Sequence, residues 1–192
     1  MRALSVEGFQ RAAQKSAISL KVFLAGPFIR PSDSEPTSGS STEAARLRYR
    51  IFKALETYEE IKPTLGEHEQ LQQIYKEHFG EYSNAALAEM AHVAEQCDCV
   101  IILPSSPGSF SELGYFSAHE DVCEKMLILL DARFEGDASY INLGPVALAA
   151  KSDAEPHHVN YEDFDTCWSI VKLFLERHKS KKLARRYRVG RQ

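Results

Sequence analysis

Residues 105–116 read Ser-Ser-Pro-Gly-Ser-Phe-Ser-Glu-Leu-Gly-Tyr-Phe and follow directly on the apolar run Cys99 to Leu103. A strand, a Pro-Gly turn and a helix start in that order put the Glu112 carboxylate where open α/β sheets bind ligands, beyond the carboxyl end of a strand. With the helix start near Ser109, the unpaired N–H groups of residues 109 to 112 and the positive end of the helix dipole keep Glu112 ionised. That is the state a nucleophile needs. The same spacing has a second reading, since Ser109-x-x-Glu112 is also a capping box whose side chains only satisfy free N–H groups.

A second motif lies near the amino terminus. The short apolar run Val22-Phe23-Leu24-Ala25 ends in Gly26-Pro27-Phe28, and further on Leu87-Ala88-Glu89 leads through Cys97-Asp98-Cys99 into the strand before Glu112. Taken in order, these segments resemble the nucleoside 2-deoxyribosyltransferase family over roughly residues 19 to 150. Together with Ser139-Tyr140-Ile141-Asn142-Leu143-Gly144-Pro145 they look most like a divergent branch, the effector proteins of bacterial retron anti-phage systems. The resemblance implies a Rossmann-like α/β fold and a nucleophilic role for Glu112. It further implies a base-side loop at Gly26, Pro27 and Phe28, and a substrate-reaching Asn142 that in some members crosses a subunit interface. Typical deoxyribosyltransferases carry an Asp in the loop before the glutamate, where this chain has Ser105, Ser106 and Ser109.

That substitution bears on the substrate. Breaking an N-glycosidic bond builds positive charge on the sugar, which a carboxylate below the ring stabilises, while the departing base usually needs a proton. The nicotinamide of NAD is already cationic and leaves without one, so the missing Asp favours NAD as substrate among (deoxy)nucleotides. No cofactor is expected. Glu89 and Asp98 are the remaining candidate acids. Asp98 also reads as a turn acceptor at a helix-to-strand junction, and Glu89 as an ordinary helix residue. Gly108, Ser106 and Ser109 are candidates for substrate contact, with Gly26 and Gly108 allowing close backbone approach. Phe28, Tyr115 and Phe116 read either as walls of a base pocket or as core. Asn142 also fits a plain turn before Gly144-Pro145. The seven histidines show no ligand spacing of the HExxH kind, and a metal site is not expected. A catalytically silent nucleotide-binding sensor using the same pocket is the alternative to an enzyme.

The surrounding elements must position these groups. At 192 residues and 44% hydrophobic content the chain suits a single α/β domain, a parallel sheet flanked by helices on both faces. The expected organisation is an extension over 1–18, the domain over 19–178 and a basic tail over 179–192. Strands are expected near 21–25, 60–63, 99–103 and 126–130. Helices are expected from Thr42-Glu43, over 69–79 and 83–96, and from about Glu162. The Ser-, Pro- and Gly-rich segment 31–41 reads as a loop, either a lid or an idle insertion. Four cysteines without CxxC pairs read as reduced thiols of a cytoplasmic protein, and no run of signal or membrane-spanning length is present. From Lys172 onward nine Lys/Arg face one acid, so this segment carries +8 and the rest −12 of the net −4. It reads as a contact for a nucleic-acid-bearing partner or an acidic patch on a second subunit of a homo-oligomer, or as a solvated helix end.

Overall fold

The computed structural model describes residues 18–188 except 38, 40, 69, 70, 72, 74–76, 78, 79 and 81–83. The extension expected over 1–18 lies almost wholly outside the described residues, as does most of the helix expected over 69–79. Among the described residues five strands, β1 (Leu20–Ala25), β2 (Ile61–Thr64), β3 (Cys99–Ile102), β4 (Met126–Asp131) and β5 (Glu155–Val159), form one parallel sheet in the order β2-β1-β3-β4-β5. Alternate residues of the central strands feed two cores, as the period of two requires. Leu20, Val22 and Leu24 with Ile101 and Leu127 pack against α1 (Glu43–Glu56) and α6 (Phe164–Arg188). Phe23, Val100, Ile102 and Ile128 pack on the other face against α2 (Ala85–Gln96), α3 (Pro107–Phe116) and the short helices α4 (Glu120–Cys123) and α5 (Ala147–Lys151). This is the α/β fold expected, a single doubly wound parallel sheet.

The two edge strands each carry a proline, Pro63 in β2 and Pro156 in β5. Proline removes a ladder donor and is tolerated at edges, so both signal where pairing ends. β5, with sequence Glu-Pro-His-His-Val, is the one strand absent from the sequence expectation, because its residues are mostly half-buried and polar rather than an apolar run. Helix α1 starts as its sequence dictates, with the Thr42 Oγ1 accepting from the Ala45 N–H at 3.2 Å. The loop expected over 31–41 is tethered at its start, where the Tyr49 hydroxyl donates to the Asp33 carbonyl at 2.8 Å. Helix α6 runs unbroken across the expected boundary at 178/179, and Lys179 and Lys182 are bound to Glu60 and Asp98. The basic segment up to Lys182 is therefore part of the body.

Strand β1 is followed by α1 on one face and β2 by α2 on the other, so the order reverses between β1 and β3. In doubly wound sheets the crevice beyond the carboxyl ends at that reversal is the ligand-binding place. Gly26 closes β1 there with φ of +150°, and a Cβ on it would lie 2.9 Å from the Arg48 Cδ and 3.3 Å from the Leu103 carbonyl oxygen. Gly26→Ala should therefore cost about 1–3 kcal/mol, read as a lower denaturant midpoint with an unchanged slope. A midpoint equal to wild type would show that the turn relaxes freely.

Candidate active site

Arg48 is the centre from which the crevice is built. It falls on the apolar stripe of α1 with Ala44, Ile51 and Leu55, and is 1% exposed. Its guanidinium reaches under β1. Nη2 donates to the Leu24 carbonyl at 2.6 Å, Nη1 to the Pro27 carbonyl at 2.7 Å, and the fork grips both oxygens of Glu67. Glu67 follows Gly66 in the turn after β2, and its Oε1 also accepts from the Ile29 N–H at 3.3 Å. A buried charge is stable only when paired and fully hydrogen-bonded, and losing one partner typically costs about 3–5 kcal/mol. The Arg48–Glu67 pair thus locks the loops after β1 and β2 together.

Two further carboxylates meet this pair. Glu89, on α2, lies against Gly66, where any β-carbon would collide with it. Burial pushes its pKa up, the negative charge of Glu67 adds to the rise, and Arg48 opposes it. Glu112, on α3, is half-buried, and one carboxylate oxygen has no hydrogen-bond partner among the described residues. Burial first, then the charge of Glu89, push its pKa up to about 7, with Arg48 pulling the other way. Both carboxyls are thus shifted upward by burial, beside one fixed cation.

The expectation that the helix terminus keeps Glu112 ionised is corrected by where α3 begins. The helix starts at Pro107, with Ser106 as its N-cap. The capping box is formed by Ser106 and Ser109: the Ser106 Oγ accepts from the Ser109 N–H at 3.3 Å, and the Ser109 Oγ accepts from the Ser105 and Ser106 N–H groups at 2.9 Å each. Proline at the first helical position, where no N–H is needed, moves the start three residues earlier than a serine cap at 109 allows. Glu112 therefore sits in the second turn, beyond the free N–H groups. The Ser109–Glu112 capping reading is also removed, leaving the Glu112 carboxylate without a structural role in the cap.

Other expected site residues are distributed unevenly. Gly26 and Pro27 lie in the crevice, Pro27 through its carbonyl on Arg48. Ser106 and the buried Ser109 are occupied by the cap, and Gly108 has open space where a Cβ would be. Phe28 is 64% exposed with the Arg30 guanidinium over its ring, and Tyr115 is 40% exposed with its ring edge-on to His119. Tyr115 lies three residues after Glu112 and shares its helix face. Phe116 is core, edge-on to Phe23, so the pocket-wall reading is corrected for it. Asp98 lies at the opposite, amino-terminal edge of the sheet, where it accepts from the Lys21 N–H at 2.9 Å and pairs with Lys182 at 2.7 Å. The structure thus separates Asp98 from Glu89 and Glu112. The Asn142 side chain donates to the Phe134 and Asp137 carbonyls at 3.0 Å each, holding the segment after β4. Arg48 and Glu67 were absent from the expected site. An arginine within an apolar helical stripe was the available signal for the first, and a Gly-Glu pair just beyond a strand for the second.

With this geometry in place, similarity to known proteins adds a name for the group. The family described as STM3845 retron effector protein matches residues 44–190. The chain belongs to that retron effector family. Two relatives come from Escherichia coli. The "Retron Ec86 putative ribosyltransferase/DNA-binding protein" is 30% identical over 153 residues, which is 79% of this chain and 43% of that protein. The retron Ec73 protein of the same description is 32% identical over 83 residues, or 43% of this chain and 26% of the relative. This retron effector therefore spans less than half the length of the curated relatives it matches. Among its described residues no helix is long and apolar enough to cross a membrane.

The raised Glu112 pKa has a thermodynamic consequence with a definite sign. The folded state binds this proton more tightly than the unfolded chain, whose glutamate titrates near 4.5. The stabilisation is complete below about pH 4.5 and is lost as pH rises through about 7, at most about 3 kcal/mol. Urea unfolding between pH 4.5 and 7.5 should show wild type losing more stability than Glu112→Gln, which keeps the shape and cannot ionise. Parallel pH profiles would place the Glu112 carboxyl in water.

Proposed function

We propose that this retron effector cleaves the N-glycosidic bond of NAD or a (deoxy)nucleotide, with Glu112 as nucleophile, as the toxic step of an anti-phage response. The observation that carries the reading is the Glu112 carboxylate oxygen, buried and unpartnered beside Glu89 in the crevice between β1 and β3. An idle carboxyl there would be paired or exposed. The ionised oxygen attacks the anomeric carbon, the carbon–nitrogen bond breaks, and its electron pair leaves with the base. Water, or an acceptor hydroxyl, then displaces Glu112 from the glycosyl ester. The cationic nicotinamide ring of NAD, entering beside two acidic groups, favours the ionised form of Glu112, so that substrate itself primes the nucleophile. Glu89, whose neutral form is favoured by burial and by Glu67, is suited to give a proton to a neutral base. Its family and the ribosyltransferase part of its relatives' names support this reading.

Release of free base from NAD, nucleosides and nucleotides, followed by chromatography, tests it. Glu112→Gln should lower turnover by at least a hundredfold and leave unfolding at pH 5 nearly unchanged. Wild-type kcat/KM should rise with pH through about 7 as Glu112 of the free protein ionises. Equal turnover in both proteins removes Glu112 from the chemistry.

For the partner, we propose that the outer basic turns of α6 contact nucleic-acid phosphates, as the DNA-binding part of the relatives' names suggests. Lys182 is engaged by Asp98 and the Ser19 carbonyl, whereas Arg185 and Arg186 are exposed. Deleting residues 183–192 should leave the melting temperature within a few degrees of wild type. It should also flatten the slope of log affinity against log salt for a DNA or RNA probe. An unaltered slope would place any nucleic-acid contact elsewhere.

A further inference from the structure

The turn after β2, Leu65-Gly66-Glu67-His68, is gripped from several sides, and the hold at its start comes from a histidine that takes no part in the cleavage chemistry. The Arg48 fork binds Glu67, and within the turn the Leu65 N–H donates to the His68 Nδ1 at 3.4 Å. At the start stands Thr64, the last residue of β2, whose Oγ1 lies 3.1 Å from the His92 Nε2. The same hydroxyl donates to the Val22 carbonyl at 3.4 Å. With its proton engaged there, it accepts from the His92 Nε2–H. The His92 ring stands edge-on to the fully buried Phe23, 6.1 Å between centroids, which sets the plane of the imidazole.

His92 and Glu89 are three residues apart on α2 and share one face of it. The Glu89 carboxyl lies against Gly66, two residues beyond Thr64, so the same turn takes up both side chains. Lys125 fixes the other end of α2, its Nζ donating to the Val93, Ala94 and Cys97 carbonyls at 2.8, 3.1 and 3.0 Å. The apolar contacts of the helix are non-directional, whereas a hydrogen bond fixes distance and angle. Burial pushes the His92 pKa down, and Lys21 and His68 add to the fall. The imidazole is therefore neutral near pH 7 and brings no second cation beside Glu89, where one would ionise the acid.

We propose that His92, through Thr64, is the positioning residue of Glu89: it sets α2 in register on the β2 turn and so seats the Glu89 carboxyl against Gly66. This rests on the reading of Glu89 as proton donor to a neutral base. The consequence is selective. A neutral base leaves with the proton that Glu89 gives it, whereas the cationic nicotinamide of NAD needs none, so the His92–Thr64 contact governs the first cleavage and spares the second.

Full-length protein carrying Thr64→Val, which keeps the shape and loses the hydroxyl, Thr64→Ser, which keeps the hydroxyl, or His92→Leu provides the test. The Glu89 carboxyl carbon is titrated by NMR, with Glu89→Gln assigning its signal. The charged groups that face it, Glu67, Arg48 and Glu112, are the same in every variant. In Thr64→Val and His92→Leu it should titrate at lower pH than in wild type, closer to the ordinary 4.5, as water reaches it. Thr64→Ser should titrate as wild type does. Base release is followed from dAMP, whose adenine is neutral, and from NAD. For dAMP kcat/KM should fall about tenfold in Thr64→Val and return in Thr64→Ser, while for NAD it changes less than about twofold. An unchanged Glu89 titration in Thr64→Val overturns the proposal, as does an equal loss on both substrates, and Thr64→Val decides even where His92→Leu does not fold. If wild type releases base from neither substrate, the glycoside-cleaving reading fails, and the Glu89 titration by itself decides whether His92 seats the carboxyl.

Discussion

One buried guanidinium holds the crevice in shape. Arg48 is drawn out of water by the apolar residues around it on α1, and nothing in that environment replaces its hydration except the Leu24 and Pro27 carbonyls and Glu67. The desolvation cost of such a charge is several kcal/mol, so it is tolerated only where every donor finds an acceptor. That demand fixes the backbone of the β1 loop, requires glycine at position 26 and brings the turn after β2 against it. The two loops that border the switch point are thus joined by an ion pair in addition to the apolar core that takes in Ile29 and Leu65.

The same cation sets the acid chemistry. Glu67 takes up the forked contacts of Arg48, so Glu89 and Glu112 are left with its longer-range attraction only. Burial outweighs that attraction for both, and Glu112 rises to about 7. The outcome is an uneven set of carboxyls: one paired with Arg48, two poised by burial with raised pKa values. Neither could be so poised in an open cleft, where water would restore ordinary glutamate behaviour.

Helix α3 divides the carboxyl-terminal edge of the sheet. One flank presents Glu112 to the Arg48 cluster, the other presents Phe110 to a cavity it lines with Phe134 and Tyr161. Its first turn is anchored by serine side chains bonding to their own backbone, which spares the carboxylate from capping. Asn142 and the Arg133 bridge between Asp131 and Glu43 hold the outer wall, and Lys179 and Lys182 hold α6 along the far edge. Positively charged side chains at opposite ends of the molecule therefore have separate work, shaping at Arg48 and anchoring along α6.

Much of the fold was written in local patterns. The apolar runs at 21–25, 99–103 and 126–130, the Thr42 cap and the helical stripe of α1 each act over a few residues, and local sterics and burial suffice to determine them. Glu112 and Glu89 were legible as candidates because each follows from its element alone. What tertiary structure decided depends on groups distant in sequence. β5 becomes a strand only because β4 offers it a ladder, since Glu-Pro-His-His-Val has little strand signal of its own. Asp98 was set apart from the cluster because it stands at the start of β3, whereas the crevice lies at the carboxyl end. Burial and the charge of Glu89, brought in from another helix, push Glu112 up to about 7, and no reading of its immediate neighbours contains that field. Arg48 and Glu67 meet across 19 residues, and a pairing of that kind is fixed by the closing of the sheet, which alone brings both to one place and removes water from between them.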